Sequence, residues 1–252
     1  MKVSIITIVY NNKSTITDCI ESVQNQTYGD IEHIVIDGGS TDGTKELIEK
    51  HRDKLAVFIS EKDNGLYDAL NKGIKHATGD IIGILHSDDI YYDKYSIALV
   101  VNRFKISGAD LLYGNGLYIS KESEKTKRIY DSKPFDKKYL KYGWIPLHTT
   151  IYVKREVFDK HGFYSLKYSI ASDYDISLRW FTDDSLKKEY INQYLVKMRL
   201  GGKSTSGHLQ QKKSTEDLEI IKNHKLNGIV TLGFKIARKI PQYISPLLIK
   251  HK

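Results

Sequence analysis

A single cysteine, Cys19, excludes a disulfide within the chain, and a reducing, cytoplasmic setting is expected. Long apolar runs are missing too. No stretch approaches the roughly 18 consecutive apolar residues that a membrane-spanning helix needs. Residues 1–9 are too short, and too soon followed by polar residues, to read as a secretory signal. Two nucleotide-binding signatures are also absent. No G-x-G-x-x-G follows the first apolar run, which argues against a dinucleotide site. Gly202-Lys203-Ser204 imitates the end of a P-loop, but the glycine required five positions earlier is Lys197. The 18 tyrosines are scattered and build no RNA-binding aromatic motif, and the basic residues are dispersed, so no nucleic-acid partner is expected. N-x-[ST] matches at Asn12 and Asn25 mean little in a cytosolic chain.

What is present suits one large α/β domain, alone or with an appendage. The 252 residues are 40% hydrophobic, enough for a sizeable core. The balance of 39 Lys+Arg against 31 Asp+Glu leaves a net charge of +8, which favours an anionic partner such as a nucleotide or a phospholipid surface.

Strand and helix patterns alternate four times in the first 90 residues. Val3–Val9 is a short apolar run that stops at the turn signal Tyr10-Asn11-Asn12. Within 14–26, Ile16, Cys19, Ile20 and Val23 recur at helical spacing, which gives Cys19 a packing role. Further strands are expected over 31–37, 55–60 and 81–86, with helices over 44–52 and 66–76 between them. This alternation predicts a doubly wound, mostly parallel sheet. Such sheets bind ligands beyond the carboxyl ends of their strands. Three polar clusters fall there: Tyr10–Asn12, Asp37–Asp42 and His86–Asp89. Each alone reads as a solvated loop, whereas together they favour a site.

The stretch 80–93, DIIGILHSDDIYYD, is the most informative. Its apolar run ends abruptly at Asp88-Asp89, and adjacent carboxylates repel unless a cation is near. Mg²⁺ or Mn²⁺, which prefer carboxylate oxygens, would meet that need. A turn with an aspartate helix cap is the competing reading.

These pieces, in order, resemble the family 2 glycosyltransferases of the GT-A fold, and especially the bacterial branch that builds surface polysaccharides. The matching segments are VSIITIVYNN, QNQTY, IVIDGGSTDGT, SEKDNGLYDALNKGI and ILHSDD, then ASDYD with Leu178-Arg179, and GGKS from Gly201. The resemblance implies transfer of a sugar, with inversion, from a nucleotide diphosphate sugar (a UDP-sugar above all) to the hydroxyl of a glycan or lipid-linked acceptor. It implies Asp89 as the metal ligand, Asp88 near the donor ribose or sugar, and Asp173 as the general base, with Asp175 as second choice. Read without the family, Asp173 is a helix N-cap. Val9 and Tyr10 match positions lining the nucleobase. Asp37 matches the first carboxylate of the family's D-D-G-S, where it either contacts the base or serves the loop. The second carboxylate, which usually holds the base, is Gly38 here. Asp42 reads as a turn-stabilising helix residue. Asp68 and Lys72 are placed near the donor by the family pattern, and as an exposed i,i+4 pair by spacing alone.

The resemblance divides the chain into a nucleotide-sugar half, 1–106, and an acceptor half, 107–208. His148 either contacts acceptor or phosphate or is structural, and the Gly/Ser-rich loop 201–207 could close over the donor. His208 is a further metal candidate beside a plain surface reading. Residues 209–252 form a helical tail. In it Ile229, Leu232, Gly233, Ile236, Ala237 and Ile240 share one helical face, and Lys235, Arg238 and Lys239 lie opposite. Such a basic amphipathic segment either docks on an anionic membrane, at the inner face of the cell membrane, or packs on the domain. Two other functions share parts of this pattern: a sugar-nucleotide pyrophosphorylase, whose Gly-rich loop is missing after the first strand, and a non-catalytic nucleotide-sugar or lipid-head-group binder.

Overall fold

The computed structural model describes residues 1–121, 123–201 and 207–248. Its centre is a nine-stranded sheet, counted over those residues. In chain order the elements are β1 (Val3–Val9), α1 (Ile16–Gln24), β2 (Ile31–Asp37), α2 (Thr44–Glu49), β3 (Val57–Ser60), α3 (Leu66–His76), β4 (Ile81–Ile84) and β5 (Ile90–Tyr91). Then follow α4 (Ser96–Ser107), β6 (Leu111–Ile119), β7 (Thr126–Tyr130), β8 (Tyr152–Lys154), α5 (Arg155–His161), α6 (Ser172–Thr182), β9 (Lys188–Arg199), α7 (Gly207–Asn223), α8 (Gly228–Ala237) and α9 (Lys239–Leu248). The sheet order is β3-β2-β1-β4-β8-β6-β9-β5, with β7 paired to β6.

The first four strands run parallel, with Val3 opposite both Ile31 and Ile81. Every residue of β1 and of β4 is buried, as expected of strands covered on both faces. α3 packs tightly on this sheet through Gly73, where an added Cβ would lie 2.4 Å from the Ile6 side chain. β8 inserts antiparallel between β4 and β6, and β9 then runs parallel to β6. The fold is α/β and GT-A-like, with a mostly parallel sheet and C-terminal helices, as the sequence predicts.

Several boundaries shift. The expected strand at 55–60 begins at Val57, because Arg52–Lys54 forms a 3-10 turn closed by backbone bonds from Lys54 and Leu55. β4 ends at Ile84, before the residues that leave the sheet to build the site. α6 begins at Ser172 with Ala171 as its cap, so Asp173 lies inside the first turn and is not the N-cap. The carboxylate of Glu216, on α7, instead accepts bonds from the backbone N–H groups of Ser169, Ile170 and Ala171. That fixes the chain just ahead of Asp173.

Candidate active site

The parallel topology brings the three polar clusters to one edge. Asn12 Nδ2 donates to Ser87 Oγ at 2.9 Å, joining the ends of β1 and β4. Asn11 accepts from Thr41 N–H at 2.9 Å, joining the ends of β1 and β2. Asp42 accepts from the backbone N–H groups of Lys13 and Thr44, the turn-stabilising part expected of it.

At this edge Val9 is buried, while Tyr10 is 51% exposed. Asp37 is fully buried and accepts from Ser40 N–H and from the hydroxyls of Ser40 and Ser60. These bonds tie it into the loop after β2 and to the end of β3. Gly38 proves informative. A Cβ there would lie 2.4 Å from Asp63 Oδ2 and 3.4 Å from the Tyr10 ring. The missing side chain at 38 leaves room for the carboxylate of Asp63, which arrives from the loop after β3. Asp63 Oδ1 accepts from Gly65 N–H at 2.9 Å, which fixes that carboxylate. Asp68 and Lys72 form the i,i+4 pair expected from spacing, at 3.5 Å, and Lys72 also meets Glu61 at 2.7 Å. Asp68 further accepts from Asn64 N–H.

The paired carboxylates differ sharply. Asp88 is half-buried, whereas Asp89 is almost wholly buried. Asp89 Oδ1 accepts from Arg199 N–H at 3.2 Å, and Asp89 Oδ2 is buried with no hydrogen-bond partner. Burial, then the charge of Asp88, push the Asp89 pKa well above the ordinary carboxylate range, against the pull of Arg199. An orphaned carboxylate oxygen beside a second carboxylate fits a divalent cation. No group of three or more Asp, Glu, His or Cys among the described residues could enclose such an ion by itself. One or two carboxylates, completed by substrate phosphates and water, is the set that Mg²⁺ commonly takes. Arg199 itself is a residue the sequence did not point to. Its guanidinium reaches Asp18 at 2.7 Å and the Asp88 carbonyl at 3.3 Å, closing the back of the pair.

Asp173 is 25% exposed at its side chain. Tyr67, from α3, donates its hydroxyl to Asp173 Oδ1 at 3.2 Å, and His148 Nδ1 lies 3.6 Å from Oδ2. Burial alone would raise the Asp173 pKa, but His148, Lys213 and Lys235 outweigh it and hold the carboxyl below its usual value. His148 Nε2 in turn lies 2.9 Å from His86 Nε2, at the end of β4. Burial keeps both imidazoles neutral, with His148 held down to about 4. Two Nε2 atoms at that distance share one proton. If His148 carried it, the bare His148 Nδ1 would face the Asp173 carboxylate. The favourable arrangement puts the proton on His86 Nε2 and leaves His148 with Nδ1–H directed at Asp173. The chain His86–His148–Asp173 thus connects the strand end of the paired carboxylates to Asp173. The sequence offered His148 only as one of two readings, placed His86 in a polar strand-end cluster without a role of its own, and gave none to Tyr67. Asp175, the second choice for base, turns away to Arg179 at 3.1 Å and His224 at 3.2 Å. The side chain of His208 and the loop residues 202–206 lie outside the described residues.

This orientation has a measurable consequence. Asparagine places a side-chain N–H near the Nδ1 position of histidine, and glutamine places one near Nε2. His148→Asn is expected to keep kcat within a few-fold of the parent, while His148→Gln and His148→Ala lose roughly tenfold, the worth of a hydrogen bond to a charged group formed when the 3.6 Å approach tightens in the working complex. The donor KM stays unchanged in all three. Equal losses in the Asn and Gln variants would show that His148 does not direct Nδ1–H at Asp173.

The family model described as glycosyl transferase family 2 matches residues 4–169, well over half of the chain. A "PGL/p-HBAD biosynthesis glycosyltransferase" of Mycobacterium bovis is 29% identical over 193 residues, covering 75% of this chain and 73% of that protein. An uncharacterized glycosyltransferase of Mycobacterium tuberculosis is 34% identical over 180 residues, covering 70% and 68%. Among solved structures, residues 1–349 of TarS from S. aureus superpose with a TM-score of 0.72 at 18% identity, covering 98% of this chain and 71% of that one. A mannosyltransferase from Pyrobaculum calidifontis, in complex with GDP-Man and Mn²⁺, superposes with a TM-score of 0.67 at 17% identity, covering 98% and 74%. A strand-end edge carrying paired carboxylates, an aspartate linked to it through His86 and His148, and this family match lead to one conclusion: the chain is a glycosyltransferase that belongs to glycosyl transferase family 2.

Proposed function

We propose that this enzyme moves a sugar, with inversion, from a nucleoside diphosphate sugar to a hydroxyl of a lipid-linked glycan in cell-surface polysaccharide synthesis. The observation that carries the reading is the His86–His148–Asp173 chain, because it makes Asp88-Asp89 and Asp173 two sides of one site. Inversion by single displacement needs a base on the face opposite the leaving group, and that part is given to Asp173. Asp89 would hold Mn²⁺ or Mg²⁺ with Asp88 beside it. Bound there, the ion would act as a Lewis acid on the departing diphosphate. Asp88, more open than Asp89, faces the donor ribose or sugar. Asp68 and Lys72 line the donor side at one remove, through Asn64 and Glu61.

The base subsite bears on the nucleotide. Val9 supports the floor, and Tyr10 offers a ring for stacking. The Asp63 carboxylate beside them is acceptor-only, so it pairs with a ring N–H. Uracil and guanine present one at their pairing edge, whereas cytosine and adenine present a bare ring nitrogen. That favours UDP- and GDP-sugars. In this reading residues 1–106 hold the donor, 107–208 the acceptor, and 209–252 the surface that meets the acceptor's membrane. Thermal-shift screening against UDP-, GDP-, CDP- and ADP-sugars, with and without Mn²⁺, tests it. Bound ligand raises the melting point by mass action, and the rise is expected for UDP- or GDP-sugars only. A rise with CDP-sugars instead would overturn the assignment of Asp63. Tight donor binding with no release of nucleotide would overturn catalysis and favour a binder.

A further inference from the structure

The tail settles its two faces in an unusual sense. α8 and α9 pack on the domain with their polar side. Thr231 Oγ1 donates to the Lys141 carbonyl at 2.8 Å, and Lys235 Nζ pairs with Asp217 at 2.6 Å while lying 3.3 Å over the Tyr174 ring. Arg238 donates to the Tyr130 hydroxyl at 2.7 Å, and Gln242 Oε1 accepts from Arg128 at 2.6 Å. The opposite side of α8 carries Ile229, Val230, Gly233, Phe234, Ile236 and Ala237, all exposed and none charged. Ile229 is 76% exposed and, on α9, Ile240 is 62% exposed, values that are unfavourable for a face meeting only water. Tyr142, from the turn beneath, stacks edge-on against Phe234 and extends the patch.

We infer that this face is a docking surface for an anionic lipid bilayer. Its apolar residues enter the interface, and the polar side, held by the domain, fixes the orientation of the enzyme on the membrane. The surrounding charge selects the partner. From Ile220 to Lys252 the chain carries seven Lys and Arg residues and no Asp or Glu. Of these, Lys222 and Lys225 are exposed on the approach to α8; outside this stretch, Lys141 is exposed beside Tyr142. An apolar face carried by a stretch whose charges are all basic matches anionic headgroups over acyl chains, at about 1 kcal/mol per basic residue near such a surface. No helix among the described residues is long and apolar enough to cross a membrane, so the contact proposed is interfacial. It also gives the lipid-linked acceptor of the proposed function a place to be met, and rests on that reading only for its purpose.

Vesicle sedimentation of the full chain, without donor, tests the surface separately from the chemistry. The protein is expected to sediment with phosphatidylglycerol-containing vesicles and not with pure phosphatidylcholine. Ile229→Asp with Phe234→Asp is expected to weaken that binding roughly tenfold or more, since both changes place charge on the inserted face. Circular dichroism and donor hydrolysis in solution should stay unchanged, because neither side chain touches the site. Vesicle binding that is absent, or insensitive to these substitutions, overturns the inference. So does a parent dimer that the same substitutions convert to monomer, which would make this face a contact between two copies of the chain.

Discussion

The Asp173→Asn enzyme is expected to bind donor as tightly as the parent and to transfer sugar roughly 10²–10⁴-fold more slowly, the usual contribution of a general base. The substitution keeps shape and hydrogen-bond reach but removes the lone-pair charge that takes the acceptor proton. The surroundings of Asp173 explain why the loss should fall on kcat. Lys213 and Lys235 keep its carboxyl ionised, so the base is ready at neutral pH. A base of low pKa still serves here, because the acceptor hydroxyl becomes strongly acidic only as its bond to the sugar forms. Asp173 lies on the acceptor side, so donor affinity, measured by calorimetry, should hold. Asp175→Asn is the control. Its carboxylate is taken up by Arg179 and His224, and its loss should lower stability more than turnover. Substantial turnover in Asp173→Asn, with loss in Asp175→Asn, would move the base two residues along α6.

Asp89→Ala is expected to lose the Mn²⁺-dependent part of donor affinity, about 100-fold or more, since a metal on a phosphoryl oxygen is worth several kcal/mol. Asp89 is buried, so folding needs its own check. Asp89→Asn keeps an acceptor for Arg199 N–H and should match the parent melting point without metal, yet gain nothing when Mn²⁺ is added. Asp88→Asn, at a more open position, should reduce donor affinity less. If nucleotide affinity in Mn²⁺ is untouched in both Asp89 variants, the ion is held elsewhere and the buried carboxylate serves only to pin β9 through Arg199.

These two aspartates also show where a sequence reading stops. The pair at 88–89 stands at the end of an apolar run, and that local pattern was enough to single it out. Which member is buried was not legible. That depends on β9, whose Arg199 is 110 positions away in the chain and covers Asp89. Asp173 came from the family motif, since its helical surroundings alone read as a cap. Its partners, Tyr67 and His148, belong to α3 and to the turn before β8, and no spacing rule links them.

By itself the sequence determined the alternation of buried strands and amphipathic helices, and with it the edge where Tyr10, Asp37 and Asp88 gather. Those are consequences of local periodicity and of the handedness of parallel crossovers. Only the tertiary structure decided which groups meet across that edge. It put the Asp63 carboxylate into the space left by Gly38, set His86 against His148, and tied Asp37 into its loop. It also decided which side of the tail faces outward. Hydropathy distinguishes the two faces of α8 but not the one that packs: Lys235 turns inward to Asp217 and the Tyr174 ring, while Ile229 and Phe234 face outward.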